Sequence, residues 1–173
     1  TVQTLSTDTI ASQVLGGTWA SGGSMNTARF GLEVGFGSQT AALLSGGTTT
    51  TSVANTESYN GSSWTEVNDL NTARGYAGGA GTSTAGLVFG GGEPPTYAST
   101  ESWDGTNWTE VNDLNTARQA LASAGIQTAA LAAGGTDPSA PGRVANTELW
   151  NGSSWTEVND LNQKRYYFAG SGS

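Results

Sequence analysis

The chain is built from near copies of itself, and this constrains the fold more than any other feature. The motif NTAR begins at Asn26, Asn71 and Asn115, and a degraded copy, NQKR, begins at Asn162; the spacings are 45, 44 and 47 residues. TEVNDLNTAR is identical at 65–74 and 109–118, and its first seven residues return at 156–162. A unit of this size cannot bury its own apolar face, so each copy must stack on its neighbours.

Each unit reads as four short strands. After the arginine comes a small-residue strand, at 30–37, 75–81 and 119–125. A polar turn leads to an apolar strand ending in paired glycines, at 41–47, 85–91 and 129–135. A variable loop follows, then TESYN, TESWD or TELWN, a tight turn, and the outer strand WTEVN. Asn60-Gly61, Asp104-Gly105 and Asn151-Gly152 are two-residue hairpin signals, because primed turns demand positive φ. Four strands at this period predict a β-propeller. Its blades are expected at about 26–70, 71–114 and 115–161, within a single domain.

The remainder supplies a fourth blade. Residues 162–173 and 1–25 together make one unit with a shortened loop. RYYFAGSG at 165–172 aligns with the inner strands, and Trp19 precedes Asn26 by the same seven residues that separate Trp64 from Asn71. Segments 1–6, 10–15 and 18–23 then read as second, third and outer strands. Pairing the two ends closes a four-bladed ring and leaves no strand edge exposed. A monomer is favoured; the alternative is that the same ends pair between chains, giving a swapped oligomer. Residues 171–173, SGS, also read as an appended remnant, and copies this regular are compatible with a designed repeat protein.

The double glycine, the aromatic at Tyr59, Trp103 and Trp150, and the tryptophan five residues later at Trp64, Trp108 and Trp155 resemble the kelch repeat. So does an arginine near the start of the next inner strand: Arg29, Arg74, Arg118 and Arg165. The phrasing of the copies is also similar to kelch-like repeat proteins of tailed phages, especially aquatic ones. The first resemblance implies that Trp19, Trp64, Trp108, Trp155 and the four arginines are structural blade residues. The second implies a virion component on the tail or capsid exterior.

The chain has no cysteine and no histidine, which removes disulfides, thiolate zinc sites and imidazole chemistry. The copper of kelch-type oxidases therefore has no expected ligands, and no cofactor or metal is expected at all. Fourteen acidic against six basic residues give a net charge of −8, which repels phosphate backbones, so nucleic acid is not an expected partner. No apolar run reaches the roughly 20 residues of a membrane span, and the first residues lack the basic start of a secretion signal.

Two repeated sets invite a functional reading. The arginines could ring a pore and bind an anion, or pair with Glu57, Glu101 and Glu148 and tie blades together; Ser12 holds the fourth glutamate position. Asn68-Asp69, Asn112-Asp113 and Asn159-Asp160 could hold a hard cation or a sugar hydroxyl, or serve turns through their own backbone. Glu66 and Glu110 repeat as equivalents, whereas acid–base catalysis needs differentiated environments. The loops at 48–55, 92–99 and 136–146 diverge most, so Pro94, Pro95, Tyr97, Asp137 and Arg143 are the first ligand-binding candidates. The expectation is a non-enzymatic binding or structural module, on a virion or extracellular. Its partners would be other virion proteins or a host-surface glycan or protein. A lectin-like propeller is the alternative.

Overall fold

A computed structural model describes residues 22–31, 34–137 and 142–172. The chain is all-β, with fourteen strands in four antiparallel sheets and no helix among the described residues. β1 (Gly35–Ser38), β2 (Ala41–Ser45), β3 (Thr56–Tyr59) and β4 (Trp64–Val67) form the first sheet in chain order. β5 (Gly78–Thr82), β6 (Ala85–Phe89), β7 (Thr100–Trp103) and β8 (Trp108–Val111) form the second in the same way. The third comprises β9 (Ala122–Ile126), β10 (Ala129–Ala133), β13 (Thr147–Trp150) and β14 (Trp155–Val158). Between its two middle strands, β11 (Thr136–Asp137) and β12 (Gly142–Arg143) add a short hairpin.

The second strand of each sheet is its apolar centre. Leu43, Leu87, Val88, Phe89, Ala130 and Ala132 are buried, as a strand covered on both faces requires. The paired glycines end it for a steric reason. Gly46, Gly90 and Gly134 have φ of 70°, 67° and 61°. A Cβ on them would come within 2.4, 2.5 and 2.6 Å of the carbonyl oxygens of Arg74, Arg118 and Arg165. Only glycine lets the next repeat's arginine backbone sit so close. The following glycine then donates to that same carbonyl: Gly47 to Arg74 at 2.9 Å, Gly91 to Arg118 at 2.9 Å, Gly135 to Arg165 at 2.8 Å.

Four local expectations need revision. The inner strands start at Gly35, Gly78 and Ala122, several residues later than the small-residue pattern predicts. The skipped residues make a turn through positive φ at Gly31, Tyr76 and Ala120, which a strand cannot include. In the hairpins only Gly61, Gly105 and Gly152 adopt positive φ. The residue before each works through its side chain: Asn60 Oδ1 accepts from the Ser62 and Ser63 amides, and Asp104 Oδ1 from Thr106 and Asn107. The 136–146 loop contains the β11–β12 hairpin, which places Asp137 and Arg143 on paired strands. Residues 165–172 form no strand ladder; of the segments predicted to complete their blade, 1–6, 10–15 and residues 18–21 with Trp19 lie outside the described residues, and residues 22–23 are not in a strand.

The sheets pack face to face. Val34, Phe36, Leu43 and Leu70 meet Val88, Trp103 and Trp108 between the first and second. Leu87 and Phe89 meet Leu121, Ala130, Trp150 and Trp155 between the second and third. Tryptophan joins them directly. Trp108 Nε1 donates to Thr56 Oγ1 of the preceding sheet at 3.2 Å, and Trp155 Nε1 to Thr100 Oγ1 at 3.1 Å. Trp64, only half-buried, donates instead to the Gly23 carbonyl at 3.0 Å. Each indole also tilts against a cross-strand aromatic: Tyr59–Trp64, Trp103–Trp108 and Trp150–Trp155 have centroids 4.9, 5.1 and 5.4 Å apart. Trp108→Ala should therefore cost about 3–5 kcal/mol in urea melts, through the cavity and the stranded Thr56 hydroxyl. A loss below about 1 kcal/mol would mean that the ring contributes little packing.

Candidate functional site

The repeated charges are consumed by the scaffold. Arg29 Nη1 lies 2.9 Å from Glu57 Oε1, Arg74 Nη2 lies 2.9 Å from Glu101 Oε1, and Arg118 Nη2 lies 3.1 Å from Glu148 Oε1. Of the three, Arg74–Glu101 is also an aligned hydrogen bond. Glu101 further accepts the Asn71 amide at 2.7 Å, the Asn71 side chain at 2.9 Å and the Thr72 amide at 3.1 Å. Glu57 and Glu148 gather the asparagines at the head of their own motifs in the same way. The NTAR signature is thus the shape of a loop wrapped round one carboxylate.

That loop is also tied to the preceding sheet. Leu70 donates to Ala54 and Arg74 to Val53; Leu114 donates to Ala98 and Arg118 to Tyr97. Burial lowers the Arg74 and Arg118 pKa values, and the facing carboxylates push back. Both remain charged. Their side chains and that of Arg29 are fully covered, so none of the three can reach an anion in solution. Arg165 differs: it is exposed, and its guanidinium lies 5.8 Å from the Phe168 ring.

The Asn-Asp pairs serve the same end. Asn68 Nδ2 donates to the Thr106 carbonyl at 2.9 Å, and Asn112 Nδ2 to that of Ser153 at 2.8 Å; each reaches the hairpin of the next sheet. Asp69 Oδ1 accepts the Thr56 amide at 3.0 Å, capping β3. Asp113, Asn159 and Asp160 are exposed. Among the described residues no group of three or more carboxylates is placed to hold a metal ion.

The variable-loop candidates are held by different partners. Pro94 and Pro95 are exposed and joined by a cis peptide bond. Tyr97 is half-buried, with Arg74 5.8 Å from its ring centre, so it belongs partly to the scaffold. Arg143, exposed on β12, lies over Tyr166 at 5.0 Å.

That last contact leads to a feature the candidate residues omit. Gly31, Tyr76, Ala120 and Tyr167 occupy one repeat position and share φ of 62°, 55°, 52° and 51°. Their backbones form a relay: Tyr76 N–H donates to Gly31, Ala120 to Tyr76, and Tyr167 to Ala120. A tyrosine in this region costs about 1–2 kcal/mol that glycine does not. The rings of Tyr76 and Tyr167 meet edge to face, 5.8 Å apart, and Tyr166 tilts against Tyr167 at 4.9 Å. Further along the same segments the tripeptides 35–37, 79–81, 123–125 and 170–172, again one repeat position, line a cavity of about 350 Å³. The sequence signal was available: the two positions after the repeated arginine read FG, GY, QA and YY, and diverge where the motif itself does not.

No family model matches the chain, and no curated protein matches it. Among the described residues no helix is long and apolar enough to cross a membrane.

The buried pair has a measurable consequence. Arg74→Met strands the Glu101 carboxylate in a dry environment and should cost about 3–5 kcal/mol in denaturant melts. Adding Glu101→Gln should recover part of that loss; a double variant no better than the single would show that the charge is not what is missed.

Proposed function

We propose that the chain is a four-bladed kelch-like propeller acting as a non-enzymatic binding module on the exterior of a tailed-phage virion. One observation carries the binding reading. Trp108, Trp155 and two of the asparagines are occupied in holding sheet to sheet, and three of the arginines with their glutamates in fixing the loops between sheets. What remains variable gathers on the face of the NTAR loops. A rigid frame with one divergent rim is an arrangement that carries recognition on its loops. The virion setting rests on the resemblance of the repeats to phage kelch-like proteins.

Four-bladed closure draws support from the C-terminal segment. It repeats the bonds of the other copies: Leu161 donates to Ala145, Arg165 to Val144, and Tyr167 to Ala120. Gly125 N–H also donates to the Gly172 carbonyl at 3.0 Å, beside the cavity. Residues 1–25 would supply the other three strands of that blade. The exposed Leu149 and Ile126, on the outer face of the third sheet, would then be covered.

Light scattering tests closure. A single 17.5 kDa species is expected, and a discrete oligomer would overturn it in favour of strands exchanged between chains. The virion assignment is tested by immunogold microscopy, with antibody to the chain, on tailed-phage particles purified from surface water. Labelled tails or capsids are the expected result; label confined to unassembled protein would overturn it.

A further inference from the structure

We propose that Phe30, Tyr76, Tyr166 and Tyr167, with Arg143 at their edge, form a saccharide-binding platform beside the turns that follow the repeated arginines. The proposal rests on the reading of the chain as an exterior binding module and names what that module would hold.

The first argument is from backbone strain. The turn after the repeated arginine needs positive φ, and two copies meet that need with Gly31 and Ala120. Glycine is the unstrained choice. Two tyrosines stand in the other copies, at φ of 55° and 51°. Gly31 and the buried methyl of Ala120 serve the same turn without a ring, so the turn itself does not call for an aromatic side chain.

The second argument is exposure: Tyr76 is half-buried, but its neighbours are open to solvent. Tyr167 is 58% exposed, and Phe30, at the neighbouring repeat position, is 56% exposed. Equivalent positions elsewhere carry Gly75 and Gln119, so no aromatic is required there either. Large exposed apolar side chains gathered in one place are a mark of recognition surfaces.

The third argument is convergence. Tyr76 and Tyr167 are two repeats apart, yet their rings are 5.8 Å apart. Gly31 lies under Tyr76: a Cβ there would come 3.1 Å from the ring, so this glycine leaves the tyrosine room. Arg143 comes from the β11–β12 hairpin of the third repeat and sits over Tyr166.

The chemistry selects the ligand. A pyranose ring offers a C–H face to an aromatic π-system and hydroxyls around its edge. Tyrosine supplies both a rigid apolar face and a hydroxyl, at the cost of only two side-chain torsions. The Arg143 fork adds donors for a hydroxyl pair or a uronate carboxylate.

The test uses the full chain on a microarray of bacterial surface polysaccharides and their oligosaccharide fragments, with affinities of the positives measured by calorimetry. Binding to a subset of these is expected. Tyr167→Gly and Tyr76→Gly should weaken it about tenfold or more, while melting no lower than the parent because glycine relieves the turn. Absence of binding to every saccharide would overturn the proposal, as would variants that bind like the parent. Glycine variants that melt several degrees lower would also overturn it, since the rings would then be packing elements. Gold labelling of virions without saccharide binding would sink this inference and leave the virion reading standing.

Discussion

Everything in this fold hangs on a carboxylate placed on the third strand of each sheet. Glu57, Glu101 and Glu148 are buried, and each draws in the loop that leads into its own sheet. A buried carboxylate without partners would be costly, so the loop must supply them. It does so with a guanidinium and a set of N–H groups, and the loop geometry is fixed as a result. With the loop held, the paired glycines admit the arginine backbone, and the next inner strand starts in register.

This arrangement explains which residues are copied without change. The tryptophans, Asn68, Asn112 and the backbone of the repeated arginines bind the neighbouring unit, while the arginine and glutamate side chains hold the loop between the two, so a change in one copy disturbs two sheets. The loops at 92–99 and 136–146 bind mostly within their own unit and are free to differ. The β11–β12 hairpin shows how far they can go, since a pair of strands fits there without moving the sheet that carries it.

Much of the scaffold was legible in the sequence. The apolar strands, the third strands and the outer strands lie where period and alternation place them, because local pattern and tertiary burial agree there. The inner strands were misjudged at their starts, since Tyr76 and Ala120 give no sign of positive φ and only the alignment with Gly31 hints at it. The hairpins were legible in position but not in mechanism: the asparagine acts through its side chain. The β11–β12 hairpin was missed because two-residue strands lie below any periodic signal. The aromatic cluster escaped because its members are scattered along the chain and only the fold brings Tyr76 and Tyr167 together.

The three hairpin turns carry one more lesson. Asn60 and Asn151 hold their turns with the side-chain oxygen, and Asp104 makes the matching bonds with a carboxylate. The amide hydrogens of Asn107 and Thr106 hold that carboxylate below the ordinary aspartate value of 3.8. Amide and acid are thus interchangeable to the backbone while differing by a full unit of charge. The outer rim can become more or less acidic one turn at a time, and a lineage can retune its electrostatic repulsion from neighbours while the fold stays the same.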